Sequence, residues 1–375
     1  MEREFLFTSE SVSNGHPDKI ADQISDAILD AYLKEDENAK VACEVLITEN
    51  LIVITGEFKK NSNNSIDVEN IAREVLRNIG YEKRWNFDPD NCKIIPIIKE
   101  QCEEITKGVE KSQGKIGAGD QGMMFGYATN ETSEFMPLPL VLAHKLMMEH
   151  DKLRRVKGFE WIGPDAKSQV TVRYKNNKPL YVENVVVSTL HSNNMSEKDV
   201  KEQIKTYLID KVVPKEIRSD NFSTFINPAG AFTKGGPKTD TGLTGRKIVV
   251  DTYGGFCPNG GGCFSGKDAT KVDRSASYMA RFLAKNIVAS GYAERCTIQI
   301  AYAIGCTSPV SLMVDLHNTG RIEEKILEKK ITDKYDLSPG GIIEKLKLKQ
   351  PIYQKTAAFG HFGRADFEWE KIEKI

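Results

Sequence analysis

Apolar residues recur at helical spacing just after the turn Ser13-Asn14-Gly15-His16-Pro17-Asp18, where Ile20, Ile24, Ala27, Ile28 and Ala31 form one stripe. Pro17 suits a first helical position, so the pattern predicts a helix with His16 and Asp18 at its N-terminus. Alternation takes over in residues 41–58, which read as two strands joined at Glu49-Asn50. A tight turn there pairs Val45 with Ile54 and Glu44 with Thr55. Cys43, Val45, Ile47, Ile52 and Ile54 then face a core, while Glu44 and Glu57 share the opposite face. A helix over 66–79 stopped by Gly80 follows, then a buried strand over 93–98. Residues 101–119 are polar and glycine-containing, the pattern of a mobile connection.

Farther on, a helix over 138–151 leads to a second hairpin, 168–175 and 182–190, turning at Asn176-Asn177. Ser196, with acids in the next turn, is placed to cap a helix reaching Asp210. Glycine and proline crowd residues 226–268, interrupted by a strand-like run at 247–251. A helix over 272–290 carries Ala276, Met279, Ala280, Leu283, Ala284 and Ile287 on one side and stops at Gly291. Ile298, Ile300, Tyr302 and Ile304 then alternate as a strand. This irregular mixture of hairpins, helices and single strands predicts an α+β fold rather than a doubly wound parallel sheet.

Composition narrows the function classes. The 375 residues carry a net charge of −1, so no global field draws nucleic acid or an anionic membrane. No apolar run approaches a membrane span, and the N-terminus lacks the apolar core of a signal peptide. Seven cysteines are scattered without a C-x-x-C pair, and no histidine stands near them at zinc-finger spacing. Reduced thiols in a cytoplasmic protein are the expectation.

Candidate chemistry concentrates before the 272–290 helix. Gly260-Gly261-Gly262-Cys263-Phe264-Ser265-Gly266-Lys267-Asp268, followed by Lys271 and Asp273, brings glycines, lysines and carboxylates to a helix N-terminus, where unpaired N–H groups favour anions. Gly261, Gly266 and Lys267 match G-x-x-x-x-G-K, but Asp268 stands where a P-loop needs a hydroxyl for Mg²⁺. Phosphate binding by some other cradle is predicted. Arg246-Lys247 adds a cationic pair, and Asp18 with Asp273 would meet the one or two carboxylates a phosphate-bound Mg²⁺ takes. Each has a plainer reading: a solvated loop, a strand-entrance basic pair, a first-turn acid. Asp120 in the 117–122 glycine loop and Asp165-Ala166-Lys167 at a strand start are equally ordinary when taken alone.

Together, these segments closely resemble the S-adenosylmethionine synthetase family, also called methionine adenosyltransferases. The resemblance runs from Phe7-Thr8-Ser9-Glu10-Ser11-Val12 and His16-Pro17-Asp18-Lys19 through 117–126, Asp165-Ala166-Lys167-Ser168-Gln169-Val170, 242–247, Asp251-Thr252-Tyr253-Gly254-Gly255 and 260–274. It ends at Pro351-Ile352-Tyr353 and Gly360-His361-Phe362-Gly363-Arg364. It implies three related α+β domains, at 4–103, 117–233 and 234–373, each a mixed sheet packed with helices. It also implies attack of methionine sulfur on C5′ of ATP, with triphosphate leaving and then cleaved to pyrophosphate and phosphate. A thioether has no proton to remove, so the difficulty lies in stabilising the departing polyanion.

Residue by residue, the resemblance places His16 beside the C5′–O5′ bridge and makes Lys167, Arg246, Lys247 and Lys267 the triphosphate clamp. Asp18 and Asp273 match Mg²⁺ ligands, two ions per site, and Glu44 a K⁺ ligand. Glu57, Gln101, Asp120, Asp240 and Lys271 match methionine-pocket positions, while Phe232 and Ile304 match the residues enclosing adenine. Asp165, Asp240 and Cys263 fall among the ATP-contacting positions. A homodimer or homotetramer with its active sites at the dimer interface is implied as well. The sequence departs from the family pattern at Ala231 (usually Arg or Lys), Cys102-Glu103-Glu104 (usually Ser-Pro-Asp), Cys263 (usually Ala) and Thr239 (often Gly). Two rival functions stand beside this one: a phosphoryl-transfer enzyme, which Asp268 opposes, and a non-catalytic partner subunit.

Overall fold

The computed structural model describes residues 3–62, 64–100 and 117–375. The first third holds β1 (Glu4–Val12), α1 (Pro17–Glu35), β2 (Lys40–Thr48), β3 (Leu51–Lys59), α2 (Val68–Ile79) and β4 (Lys93–Glu100). Next come β5 (Gly122–Thr129), α3 (Leu138–Leu153), β6 (Ile162–Lys175), β7 (Lys178–His191), α4 (Glu197–Ile204) and β8 (Arg218–Ile226). The rest comprises β9 (Gly242–Leu243), α5 (Val272–Ala289), β10 (Arg295–Tyr302), β11 (Ser311–Asp315), α6 (Glu324–Lys334) and α7 (Pro339–Lys345).

Three sheets form, ordered β1-β6-β7-β8, β11-β10-β5 and β4-β3-β2-β9. The first and third mix parallel with antiparallel pairing, through β7–β8 and β3–β4, and the second is antiparallel. Helices pack on each, making the fold α+β. Every sheet takes strands from distant parts of the chain: β1 joins β6, β5 joins β10, and β9 joins β2. Among the described residues, no helix is long and apolar enough to cross a membrane.

Local signals held where they were strongest. β2 and β3 pair with Val45 opposite Ile54 and Glu44 opposite Thr55, because their buried alternate residues admit only one register. Gly80 closes α2 at φ +97°, and Asn176 and Asn177 both take positive φ in the β6–β7 turn. Ser196 Oγ accepts from Asp199 N at 3.1 Å, capping α4, which continues through a π turn at Lys205–Ile209 and a last turn at Asp210–Val212.

Three expectations are corrected. The run at 247–251 is not a strand but a single helical turn, Ile248–Asp251, closed by Asp251 N on Lys247 O at 2.8 Å. Residues 242–244 and 266–268, not this run, bond to the outer edge of β2. Ile304 lies beyond β10 in the turn that sends the chain back to β11, and it is 62 % exposed. Strand 93–98 exists but is not buried: as β4 it lies on a sheet edge with Ile97 and Ile98 exposed. The expected mobile connection lies largely outside the described residues.

Candidate active site

One edge of β2 organises the site. Val45 N donates to Thr244 Oγ1 and Thr244 N to Val45 O, each at 3.0 Å, which docks the loop bearing Arg246 and Lys247. Farther along the same strand, Cys43 N donates to Gly266 O at 2.9 Å and Asp268 N to Val41 O at 3.1 Å, docking the loop that bears Lys267. The glycines are necessary. Gly266 sits at φ +81°, and a Cβ there would lie 2.0 Å from Cys43 O. Gly245, at φ +79°, lies so close to Cys263 that a Cβ would meet its Cβ at 2.5 Å, and this contact joins the two loops.

The P-loop mismatch has a structural cause. Asp268 is buried and its oxygens are engaged: Oδ1 accepts from Thr270 N and Oγ1, and Oδ2 from Val41 N at 2.8 Å and Lys271 Nζ at 2.5 Å. Asp268 thus ties the loop to β2, and Lys271 is drawn towards it.

At the start of α1, His16 is the N-cap, and its Nδ1 accepts from Asp18 N at 3.2 Å. With Nδ1 an acceptor, the neutral ring carries its proton on Nε2. Burial, then the Lys247 charge, lowers the imidazole pKa to about 3 against a weaker upward pull from Asp18. Nε2 is buried without a hydrogen-bond partner, 3.7 Å from Asp240 Oδ2. Asp18 Oδ1 accepts from Leu243 N at 3.0 Å and Oδ2 from Lys247 Nζ at 2.5 Å, with Arg246 Nε 3.6 Å away. Burial raises the Asp18 carboxyl, but the Lys247 hydrogen bond, the Leu243 amide and the Lys247 charge outweigh it, leaving its pKa below the usual value.

Asp165 and Lys167 follow on β6, two residues apart and so on one face. Asp165 Oδ2 accepts from Gly236 N at 2.8 Å, and burial pushes its carboxyl up to about 6 despite that bond and Lys167. Lys167 is exposed and has no hydrogen-bonded or ion-paired carboxylate among the described residues, leaving its charge available to a ligand. Phe232, tied to His191 by Phe232 N on Nε2 at 3.1 Å, stands beside Gly235 and Asp165.

Lys267 and Asp273 form the other half. Lys267 Nζ donates to Asp273 Oδ2 at 2.6 Å. Burial works against the Lys267 charge, but Cys263, Asp273 and Glu44 outweigh it and raise its pKa. Burial pushes the Cys263 thiol up to about 11. Gly122 brings the 117–122 loop here, since a Cβ on it would lie 3.5 Å from Asp273 Oδ1. Asp120 is exposed and accepts from Gln121 N at 2.8 Å, and Glu57 is exposed on β3. Ile304 lies beside the same loop, next to Gly305, whose N donates to Ala118 O at 2.8 Å. Gln101 lies outside the described residues. Among the described residues, no three or more His, Cys, Asp or Glu gather as a ready metal cage.

Sequence reasoning missed the frame beneath these groups. Asp18, Asp22, Asp26 and Asp30 recur every fourth residue on α1, and all four accept backbone N–H groups, from Leu243, from Gly245, from Gly266, and from Tyr353 and Gln354. An acid every four residues inside an apolar helix was the available signal. Arg274, Arg281 and Lys285, buried on α5, were hidden by its apolar stripe.

Known proteins match this sequence over the whole chain. Family models match in order: S-adenosylmethionine synthetase N-terminal domain over residues 4–103, central domain over 115–232 and C-terminal domain over 234–371. The S-adenosylmethionine synthase of Helicobacter pylori strain J99 is 52% identical over 378 residues, covering 100% of this chain and 98% of that protein. Those of a Nitratiruptor species and of Wolinella succinogenes are each 51% identical over 377 residues, covering 100% of this chain and 97% of theirs. A cation-rich cradle docked on β2, three domain matches in sequence order and identity above half over the full length lead to one conclusion: the chain belongs to the S-adenosylmethionine synthetase family.

Proposed function

We propose that this chain is a methionine adenosyltransferase, making S-adenosylmethionine from ATP, L-methionine and water and releasing pyrophosphate and phosphate by way of a bound triphosphate. The observation that carries the reading is His16: a buried, neutral imidazole whose Nε2–H lacks a hydrogen-bond partner and lies in the field of Lys167 and Lys247. A methionine sulfur lone pair forms the S–C5′ bond as the C5′–O5′ bond breaks, and the electron pair leaves with the triphosphate. Nothing in that step needs a base. What it needs is donors fixed where charge develops, and Nε2–H, Lys167, Arg246, Lys247 and Lys267 are of that kind. Water then cleaves the triphosphate.

Asp18 and Asp273 fit two Mg²⁺ ions, each carboxylate being paired with a lysine that incoming phosphates can draw away. Bound Mg²⁺ would neutralise phosphate charge. For K⁺, Glu44 offers one carboxylate on the sheet face towards Lys267. Asp165, Phe232, Asp240, Cys263 and Ile304 fit the nucleotide, and Glu57, Gln101, Asp120, Asp240 and Lys271 fit methionine.

A homodimer or homotetramer suits a site whose parts lie apart in one chain: Glu57 and Asp120 are exposed and hydrogen-bond none of the cationic residues. Leu6 and Tyr181, both opposite Arg173 on an outward sheet face, and Met123 on β5 give a second copy apolar surface to cover. The six described cysteines are unpaired, which suits a reducing cytoplasm.

The test is incubation with ATP, methionine, Mg²⁺ and K⁺, with mass spectrometry for S-adenosylmethionine, pyrophosphate and phosphate. ADP in their place would favour phosphoryl transfer, and ATP binding without product a non-catalytic partner subunit.

A further inference from the structure

The geometry points to Asp22 and Asp26 as positioning residues that aim the phosphate-clamping cations, each through the backbone of one loop. The inference rests on the adenosyltransferase reading and extends it to residues that touch no substrate.

Asp22 Oδ1 accepts from Gly245 N at 2.8 Å, the residue before Arg246 and Lys247. Its Oδ2 accepts from Lys19 Nζ at 2.8 Å, and the same ammonium reaches Asp251 Oδ1 at 2.5 Å. The segment carrying the two cations is therefore held at both ends, by Asp22 at Gly245 and by Lys19 at Asp251. Asp26 does the same for the other loop. Its Oδ1 accepts from Gly266 N at 2.8 Å, and both oxygens bind Arg274, at 2.7 and 2.8 Å. Arg274 in turn donates to Lys267 O at 3.1 Å. One buried ion pair thus pins the backbone at Gly266 N, before Lys267, and at the Lys267 carbonyl itself.

Asp22, Asp26, Lys19 and Arg274 are all fully buried. Buried ion pairs are poor sources of net stability, because desolvation offsets most of their attraction. Their worth here is directional. Asp22 and Asp26 lie one turn apart on α1, roughly 6 Å along its axis, and His16 caps the same helix. One rigid element therefore sets His16, the Arg246–Lys247 pair and Lys267 at fixed separations before substrate arrives, which is the preorganisation a developing polyanion requires.

The test combines hydrogen exchange on the full-length protein with double-mutant cycles. Asp22→Asn is expected to raise amide exchange in peptides covering 243–247 and leave 264–268 protected, with Asp26→Asn doing the reverse. Turnover is expected to fall on the order of 10²-fold for each. Asp22→Asn should couple strongly to Lys247→Ala and weakly to Lys267→Ala, and Asp26→Asn the opposite way. If Asp26→Asn does not fold, Arg274→Lys replaces it: the charge beside Asp26 remains, the bond to the Lys267 carbonyl goes, and the same pattern is expected. Equal coupling to both lysines, unchanged exchange in both loops, or a uniform rise along the chain overturns the proposal. Wild-type product formation in the same assay tests the adenosyltransferase reading separately, and the exchange result stands without it.

Discussion

Lys267 Nζ meets Asp273 Oδ2 at 2.6 Å, so the cation of the glycine loop and the first acid of α5 neutralise each other. Both are about one-fifth exposed, and a partly solvated pair of this kind contributes only about 0–1 kcal/mol. On the proposed reading the pairing keeps both groups available to a phosphate and its metal ion, and it adds little to the fold. Lys267→Ala is accordingly expected to slow S-adenosylmethionine formation on the order of 10²–10³-fold while leaving the melting temperature almost unchanged. Steady-state turnover and a thermal melt on one preparation check both halves, and near-normal turnover removes Lys267 from the clamp.

Asp268→Ser restores the P-loop signature in sequence, yet no P-loop chemistry is expected from it. Serine cannot accept from Val41 N, Thr270 and Lys271 together, so the loop loses its tie to β2 and adenosyl transfer falls. ADP should not appear. Chromatography of the nucleotide products decides, and ADP in quantity would contradict the role given to Asp268.

Burial, then the Lys247 charge, lowers the His16 pKa to about 3, which leaves the ring neutral near neutral pH. The turnover–pH profile should show no inflection near 6.5 that His16→Gln abolishes. His16→Gln, which keeps an N–H near the Nε2 position, should retain more activity than His16→Ala. Equal activities would mean that the donor plays no part in the rate.

His150 provides a stability test outside the site. It is fully buried, its Nε2 lies 2.8 Å from Thr189 Oγ1, and burial lowers its pKa to about 3. Between that value and about 6.5, the unfolded chain holds a proton here that the folded chain does not, so stability rises with pH in this window and is lost as pH falls. The slope per site approaches about 1.4 kcal/mol per pH unit. Urea unfolding at about pH 6 and about pH 5 should therefore show wild type losing about 1 kcal/mol more than His150→Gln. Parallel losses in the two proteins would mean that His150 is protonated in the fold.

Glu370 accepts from Arg281 through both oxygens at 2.9 Å and from Lys285 at 2.8 Å, all three side chains being buried. Removing its charge leaves two cations underpaired in the core. Glu370→Leu should destabilise by about 3–5 kcal/mol, read by urea unfolding. A loss below about 1 kcal/mol would show that water or backbone satisfies Arg281 and Lys285.

Sequence reading succeeded where the signal was local and misread segments whose state depended on neighbours. The α1 stripe, the Val45–Ile54 register and the stop at Gly80 all follow from periods of about 3.6 and 2 and from glycine's access to positive φ. Ile248–Asp251 looked like a strand because it is apolar, but it closes on itself as one helical turn, Asp251 N bonding Lys247 O. Lys267 and Asp273 were found through their proximity in the chain, whereas Asp22 and Asp26 serve residues more than two hundred positions away.

By itself, the sequence determined most of the strongly periodic elements, the family and which charged residues form the proposed phosphate clamp, because these depend on nearby residues and on motifs carried intact. Only the tertiary structure decided that Gly245 and Gly266 would hang from one helix and one strand edge. That outcome comes from pairing far-separated backbone donors with buried carboxylates. The free energy of such a pairing depends on what excludes water around it, and no window of adjacent residues contains that information.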